Sequence, residues 1–260
     1  MRPLAELDTR GIRGLFFDID DTLTTEGRLT STAYSALERW KAAGKIAIPV
    51  TGRPAGWCDH IARMWPVDAV VGENGAFYFR HDAARRVLVK RFLQDAATRA
   101  ANRARLAALA ARILAAVPGS AVASDQGYRE TDLAIDFCED VAPLALSEAE
   151  KIAALMRASG LTAKISSIHV NGWFGDYDKL GMAKIVASEC FGLNLDVARA
   201  QFAYAGDSPN DSPMFAYFPA SIGVANVRRF EGRLDPPPAY VTVDEAGSGF
   251  SELVTHLLER

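Results

Sequence analysis

Carboxylates crowd the end of the first apolar run in the sequence. The run GLFFDID covers residues 14–20, and another acid, Asp21, follows it at once. Because side chains alternate along a strand, Asp18 and Asp20 are expected on the same side of it. Two carboxylates this close repel each other unless a cation or a shared proton relieves them. A bound metal ion is the simplest relief.

A second acidic cluster, Asp207 and Asp211 in GDSPND, comes just beyond a predicted strand at 201–206. The carboxyl ends of parallel strands open onto one crevice, so both clusters are expected at the same edge of a sheet. Oxygen donors without His or Cys are typical of Mg²⁺ sites. The two clusters therefore predict a magnesium site.

Two more segments are expected at that edge. Thr51-Gly52-Arg53 ends the predicted strand 45–51 and offers a hydroxyl and backbone N–H groups to an anion. Lys179 stands at the start of a predicted helix, 180–191, and can bring an ammonium group to the crevice. Three strand ends and one lysine are thus expected to converge.

The elements that position these residues follow an α/β pattern. Short apolar runs at 14–20, 45–51 and 68–72 predict buried strands, and helices are predicted between them, up to Gly44 and over 54–65. Thr30 or Ser31 is expected to cap the first helix. Right-handed βαβ crossovers make such a series a parallel sheet with helices on both faces.

The pattern changes after residue 75. Segments 77–79 and 86–90 predict an antiparallel pair, followed by a helix at 94–116, strands at 120–124 and 132–137, a helix at 147–158, and strands at 162–166 and 168–171. Ser147 and Glu150 are expected to form a capping box. Later segments return to the α/β pattern, with strands at 201–206, 220–224 and 239–243 and helices at 210–217 and 249–259. We therefore predict one unit from 1–81 and 177–260, interrupted by an αββαββ insert at 82–176.

Composition excludes several classes of protein. The chain has 260 residues with 29 basic and 32 acidic side chains, so its net charge of -3 gives no field that would attract nucleic acid or an anionic membrane. Its three cysteines form no CxxC pair. No signal peptide or membrane span is evident. These features predict a cytoplasmic protein without a nucleic-acid or membrane partner, and they leave the oligomeric state open.

The motifs in their order resemble those of the haloacid-dehalogenase-like (HAD) hydrolases. The matching segments are DIDDTL at 18–23, TGR at 51–53, Lys179, and GDSPND at 206–211. An insert between the second and third motifs, together with the turn Asn74-Gly75-Ala76, resembles subfamily IIB, which includes Cof-like and sucrose-phosphate-phosphatase-like enzymes. The resemblance implies a HAD-like Rossmannoid parallel-sheet core with an inserted α+β cap, the αββαββ unit.

This resemblance implies roles for the motif residues. Asp18 would be the nucleophile that takes the phosphoryl group as an aspartyl-phosphate, and Asp20 would be the general acid and base. The Mg²⁺ cofactor would be held by Asp18, the Asp20 carbonyl and Asp207, with Asp211 nearby. Asp211 could instead cap the following helix. The phosphoryl oxygens would be bound by Thr51, Gly52, Lys179 and Asn210.

One motif departs from the family pattern. Relatives of the Cof type usually have glycine directly after the third-motif lysine, whereas Leu180 precedes Gly181 here. Lys184 is therefore a second candidate, but it points about 140° away from Lys179 around a helix. We expect Lys179 to face the site.

Several other residues are candidates for reading the rest of a substrate. His169 and Asn171 share the polar face of the last cap strand, and with Trp173 nearby they suit a sugar, which wants hydrogen bonds and a stacking surface. The alternative is that both polar residues merely pair with neighbouring backbone groups or with water. Arg53 and Asn74 are further candidates, although Arg53 could simply pair with a carboxylate.

The sequence thus predicts a Mg²⁺-dependent phosphatase, a phosphoric monoester hydrolase. Its substrate would be a small phosphorylated metabolite such as a sugar phosphate, cleaved through an aspartyl-phosphate. A sugar phosphomutase of the same superfamily is the alternative, since it shares the cap class and the intermediate. A signalling receiver domain fits poorly, because it needs only about half of this chain and has no αββαββ insert.

Overall fold

The computed structural model describes residues 1–259 and shows two units of different architecture. One is a six-stranded parallel sheet with helices on both faces, and the other is a four-stranded antiparallel sheet backed by two helices. The second unit is inserted between elements of the first. This arrangement confirms the predicted fold class.

The regular elements of the chain are strands and helices, with short 3₁₀ turns between several of them. The strands are β1 Arg2–Pro3, β2 Gly14–Phe17, β3 Ile46–Pro49, β4 Val70–Gly72, β5 Phe77–Asp82, β6 Val87–Phe92, β7 Ala121–Val122, β8 Asp132–Asp136, β9 Thr162–Ile165, β10 His169–Trp173, β11 Phe202–Gly206, β12 Ala220–Gly223 and β13 Tyr240–Val241. The helices are α1 Ser31–Ala42, α2 Ala55–Met64, α3 Ala96–Ala116, α4 Leu146–Ala158, α5 Lys179–Phe191, α6 Leu195–Ala198, α7 Ser212–Tyr217 and α8 Ala246–Leu258.

The parallel sheet has the strand order β1-β13-β12-β11-β2-β3. Its central strands β2 and β11 are buried along their whole length, as expected where both faces of a sheet are covered. Side chains of α1 and α8, including Trp40 and Phe250, pack on one face. Side chains of α5 and α7, including Met182 and Phe215, pack on the other. The sheet is held by apolar contacts on both sides.

The predicted third strand of the parallel sheet joins that sheet only marginally. β4 touches the sheet through a single parallel bridge, Val50 to Val71. Its full partner is β5, and β4, β5 and β6 form a separate antiparallel sheet. The reason is the turn Glu73–Gly75, which reverses the chain directly after β4 and makes a hairpin.

The cap has the predicted αββαββ order, with its strands arranged β7-β8-β10-β9. Leu106 and Ile113 of α3, with Ile152 and Met156 of α4, pack on one face of this sheet. The predicted boundary between residues 81 and 82 lies inside strand β5, whose hairpin packs apolar side chains against α2. The division into core and cap at 82 and 176 stays a prediction.

Of the two predicted helix caps, the one at the start of α1 is present in the structure and the one at the start of α4 is not. The Thr30 side chain accepts a hydrogen bond from Ala33 N, as expected. The Ser147–Glu150 capping box is wrong, because α4 begins earlier, after Ala145, and has no side-chain cap. Leu146 packs on the cap core, so an apolar contact fixes the start of this helix. Among residues 1–259, no helix is long and apolar enough to cross a membrane.

The tight fit at Gly75 yields a first prediction. Gly75 has φ +109°, and a Cβ there would lie 2.0 Å from the carbonyl oxygen of Asp178, directly before α5. We expect Gly75→Ala to lower the free energy of unfolding by about 3 kcal/mol or more, since backbone must move as well as adopt a strained φ. Urea denaturation measures this loss.

The matched control is Gly44→Ala. Gly44 also has positive φ, +73°, but nothing lies within 4 Å of its added Cβ. Gly44→Ala should lower the free energy of unfolding by about 1–2 kcal/mol, because only the strain of a positive φ is added. Equal losses in the two variants would show that the turn does not press against α5 as described.

Candidate active site

The two acidic clusters meet because their strands are neighbours. β2 and β11 are paired in parallel, with Phe17 opposite Ala205, and Asp18 N donates to Ala205 O at 2.9 Å. Asp18 and Asp207 therefore leave the sheet side by side at its carboxyl edge. Carboxylate oxygens of Asp18, Asp207 and Asp211 all lie within 4.8 Å of one another, and all three side chains are buried. The structure thus brings three of the four predicted metal-binding residues together, while Asp20 lies outside this cluster.

Lys179 supplies positive charge inside this cluster. It is the first residue of α5, whose N-cap Asp178 accepts from Gly181 N. The Lys179 ammonium is 2% exposed and lies 2.9 Å from Asp18 Oδ1 and 2.7 Å from Asp211 Oδ1. Lys184, the other candidate, pairs with Asp196 on the surface. Of the two lysines, Lys179 is the one that faces the site.

The buried charges shift one another's protonation. Burial, opposed by Lys179 and reinforced by Asp211, raises the pKa of Asp18 to about 7. Burial, with the nearby charges of Asp211 and Asp18, raises the pKa of Asp207 well above its usual range. Although burial opposes it, the pKa of Lys179 is raised by Asp18 and Asp211. Negative charge in the cluster exceeds what one ammonium can balance.

Asp211 differs from the other two carboxylates, because donors already surround it. Its Oδ1 accepts from Lys179 Nζ and from the Tyr204 hydroxyl. Its Oδ2 accepts from Asp207 N at 3.0 Å and Ser208 N at 3.3 Å, completing a capping box with Ser208. Asp211 therefore organises the turn after β11, and its role as a metal ligand stays a prediction.

Asp207 is the carboxylate that most lacks a partner. Its side-chain contacts with donors are long, 3.4 Å from Thr22 Oγ1 and 3.5 Å from Asn226 Nδ2, although it is 1% exposed. A buried carboxylate without strong donors needs a cation or a proton. An all-oxygen donor set of this kind fits Mg²⁺. The residues present are therefore suited to hold a hard divalent ion.

Asp20, two residues after Asp18, is bound by Arg53 from the loop after β3. Arg53 Nε lies 3.0 Å from each Asp20 carboxylate oxygen, and Arg53 Nη2 lies 2.8 Å from Asp20 Oδ1. The same guanidinium reaches the cap, 2.5 Å from Glu139 Oε1 and 3.5 Å from Asp125 Oδ2. Arg53 thus pairs with a carboxylate, the alternative foreseen for it, and ties Asp20 to the cap.

The Thr51–Arg53 segment forms a tight loop after β3. Arg53 N donates to Thr51 Oγ1 at 3.0 Å, which fixes the Thr51 side chain. From the cap, Arg129 donates to Gly52 O at 2.8 Å. Asn210, 5% exposed, lies next to this loop and contacts Asn74. Two of the predicted phosphate-binding residues, Thr51 and Asn210, are therefore linked through Asn74, whose N donates to Thr51 O.

The predicted substrate residues of the last cap strand, β10, are buried, and two of them lie close to carboxylates. Asn171 Nδ2 donates to Asp132 Oδ2 at 2.8 Å, and His169 Nε2 lies 2.8 Å from Glu139 Oε2. Trp173 is fully buried and stacks on Tyr177 with ring centroids 5.5 Å apart. Their role in sugar binding stays a prediction, and the contacts found are with carboxylate side chains rather than with the backbone or water of the alternative.

Four polar residues at the junction between core and cap escaped the sequence reasoning. Glu139 and Asp125 meet Arg53, Arg129 meets Gly52, and Glu73 accepts from Thr131 N at 2.6 Å across the junction. Only the 125–129–132 spacing of opposite charges gave a signal, and it is equally typical of a solvated helix face. Their contacts depend on how the cap sits on the core.

Glu139 yields a prediction about pH. Burial opposes the shift, but His169 and Arg53 lower the pKa of Glu139 to about 2 from an ordinary 4.5. A lowered pKa stabilises the fold above the ordinary value, and this stabilisation is lost as pH falls toward 2. Between pH 5 and pH 2.5, wild type should therefore lose about 1–2 kcal/mol more than Glu139→Gln. Urea denaturation at several pH values measures the difference.

The matched control is Glu148→Gln, at an exposed cap glutamate whose oxygen lies 3.6 Å from Lys151. This variant should follow the wild-type pH profile. A Glu139→Gln profile parallel to wild type over the same range would contradict the buried ion pair.

Comparisons with known proteins concern one segment of the sequence and the fold as a whole. Residues 15–107 match the family described as haloacid dehalogenase-like hydrolase. No curated protein sequence matches the chain significantly. A putative HAD/COF-like hydrolase from Plasmodium vivax is 15% identical with a TM-score of 0.67, covering 96% of each chain.

Two further solved structures share the fold. The sucrose-phosphatase from Synechocystis, solved with sucrose and phosphate, is 15% identical with a TM-score of 0.64, covering 95% of this chain and 98% of that one. A sugar phosphatase of HAD subclass IIB is 14% identical with a TM-score of 0.62, covering 94% and 98%. At such identities these structures show a common fold.

Proposed function

We propose that this chain, whose residues 15–107 match the haloacid dehalogenase-like hydrolase family, is a Mg²⁺-dependent phosphatase of small phosphorylated metabolites. One observation carries the proposal. A buried carboxylate, Asp18, lies between an ammonium group and a second carboxylate that lacks strong donors. This arrangement suits the transfer of a phosphoryl group to Asp18.

We assign the nucleophile to Asp18. Lys179 holds Oδ1, so the other oxygen is left to attack phosphorus while the ester P–O bond breaks. Water then attacks phosphorus of the aspartyl-phosphate, and inorganic phosphate leaves. Splitting the reaction in this way replaces one difficult displacement by two easier ones.

Asp20 would transfer protons in both steps of the reaction, the formation and the hydrolysis of the aspartyl-phosphate. It gives a proton to the leaving oxygen in the first step and takes one from the attacking water in the second. Its ion pair with Arg53 holds the carboxylate at the junction of core and cap. Because Arg53 also pairs with Glu139, the position of Asp20 depends on the cap being closed.

The phosphoryl oxygens would be bound by the Thr51–Arg53 loop, Lys179 and Asn210. Backbone N–H groups and an ammonium group aimed at one space stabilise the negative charge that shifts during transfer. We infer that Asp18, Asp207 and the Asp20 carbonyl hold the metal. Mg²⁺ bound there supplies the charge that lets an anionic ester approach an anionic carboxylate.

The cavity next to Asp20 has the size and polarity to bind a small leaving group that carries hydroxyl groups. A cavity of about 280 Å³ lies between the loop after β2 and the cap, and Thr24, Arg53, Glu139 and Ser167 are among its lining residues. This volume is at the lower end for small-molecule sites, and its lining offers both donors and acceptors. We infer a sugar phosphate, the class that the Synechocystis relative's name also indicates.

The test of the function is phosphate release. Purified protein with Mg²⁺ should release inorganic phosphate from members of a panel of phosphorylated metabolites. Asp18→Asn should lower the rate by about 10³-fold or more, because the covalent route is lost. Asp196→Asn, at an exposed acid paired with Lys184, is the control and should act as wild type.

The other outcomes of the substrate panel would identify a different activity or contradict the proposal. An isomerised ester that forms only with added bisphosphate would identify a phosphomutase. No reaction with any ester, or full activity in Asp18→Asn, would contradict the proposal.

Metal binding is tested by stability. Mg²⁺ at about 100 times its Kd should stabilise the folded protein by about 2.7 kcal/mol, raising Tm by about 5 °C or more relative to EDTA. Asp207→Asn should abolish this rise and also raise Tm in EDTA, since one buried charge is removed. Asp244→Asn, at an exposed acid, should respond to Mg²⁺ as wild type does. A Tm that Mg²⁺ leaves unchanged in wild type would exclude the site.

A further inference from the structure

The turn Glu73–Gly75 connects segments that each contribute to the candidate site. Its backbone pairs with the phosphate loop, through Glu73 N to Arg53 O at 3.1 Å and Asn74 N to Thr51 O at 3.0 Å. Gly75 packs directly against Asp178, the residue before Lys179. The turn therefore lies between the loop and the helix that supplies the ammonium group.

The backbone of this turn is held in a strained conformation. Glu73, Asn74 and Gly75 all have positive φ, at 43°, 55° and 109°. The Glu73 carboxylate holds the first of these residues, since it accepts from Ala55 N at 3.0 Å and from Glu130 N at 2.9 Å. Two consecutive non-glycine residues in the left-handed region are costly, and such strain is typical of functional sites.

The consequence is the position of the Asn74 side chain. Asn74 is 2% exposed, and within residues 1–259 its Nδ2 has no hydrogen-bond partner. Its Oδ1 lies 3.5 Å from Asn210 Nδ2, which leaves Nδ2 as the free donor. A buried donor without an acceptor is unfavourable unless a ligand or a water molecule satisfies it.

Gly52 of the Thr51–Arg53 loop lies directly beside this donor. A Cβ at Gly52 would lie 3.2 Å from Asn74 Nδ2 and 3.6 Å from Asn171 Oδ1. Any side chain there would press on the Asn74 amide. The unpaired donor is therefore next to the loop to which phosphate binding is assigned, and glycine at this position leaves the amide uncrowded.

We propose that Asn74 Nδ2 donates a hydrogen bond to a phosphoryl oxygen of the bound substrate, as a binding residue additional to Lys179. This inference rests on the proposed function. A phosphoryl dianion offers only acceptors, which match an unpaired N–H donor, whereas a cationic or donor-rich group would not. The Asn74 amide carries no charge. It would therefore orient the phosphoryl group by a hydrogen bond, while Lys179 supplies the electrostatic attraction.

A purely structural role for Asn74 gives different expectations. Asn and Asp tolerate the left-handed region better than most residues, so Asn74 could serve only the turn. Asn74→Gly and Asn74→Asp both keep the backbone conformation accessible. The first removes the amide, and the second replaces it by a carboxylate of the same shape.

The experiment is calorimetric titration of each variant with inorganic phosphate in the presence of Mg²⁺, together with Tm and the kinetics of p-nitrophenyl phosphate hydrolysis. We expect Asn74→Gly to raise the Kd for phosphate and lower kcat/KM by about 10- to 100-fold. Asn74→Asp should have a larger effect, because a carboxylate repels phosphate. Tm should change by no more than a few degrees in either variant.

The matched controls are Asn102→Ala and Asn102→Asp. Asn102 is another buried asparagine, 7% exposed, and it donates to Gln94 Oε1 in the cap, away from the site. These variants should keep the wild-type Kd for phosphate. The Asn102 variants show the general effect of losing a buried amide, which can then be distinguished from the effect of losing the Asn74 amide at the site.

Wild-type phosphate binding in both Asn74 variants would overturn the inference while leaving the phosphatase function intact. The same result would follow if a water molecule alone satisfies the amide. Absence of phosphate binding and of hydrolysis in wild type would instead refute the proposed function, and this inference with it. Should one variant fail to fold, the other decides.

Discussion

The structure depends on how three carboxylates and one ammonium group are buried together at the end of a parallel sheet. Asp18, Asp207 and Asp211 are each no more than 5% exposed, and Lys179 forms ion pairs with Asp18 and Asp211. Burying unbalanced charge is unfavourable, so the surrounding elements must hold it in place. The parallel register of β2 and β11, the start of α5 and the turn after β11 all serve this purpose. The same imbalance is what a divalent cation and a phosphoryl dianion would complete.

The cap adds a second set of charges that meets the first at Arg53. This guanidinium, 4% exposed, pairs with Asp20 of the core and with Glu139 and Asp125 of the cap. Arg129 and Glu73 join the two units nearby through backbone groups of Gly52 and Thr131. Because these charges are buried, removing one partner would leave the other uncompensated in the interior. The junction is therefore held by matched charges that core and cap contribute together.

Local sequence was sufficient for most of the fold. Short apolar runs ending in Asp18 and before Asp207 predicted adjacent buried strands, and the αββαββ insert was evident from its periodicity. The start of α4 was misjudged because the contact of Leu146 with the cap core is tertiary, whereas Ser147 is only a local signal. Glu139 and Glu73 were missed for a similar reason. An isolated glutamate in a loop carries no mark of the partner that a second unit will bring to it.

The central claim is that Asp18 takes the phosphoryl group covalently. Its most direct measurement uses the Asp20→Asn protein, which should form the acyl phosphate but hydrolyse it slowly. After brief reaction with a cleavable phosphate ester and Mg²⁺, borohydride reduction converts an aspartyl-phosphate to homoserine, which peptide mass spectrometry locates. The account predicts homoserine at position 18 and none when Asp18 is replaced by Asn. Phosphate release with no acyl phosphate at Asp18, or with the modification at another residue, would contradict it.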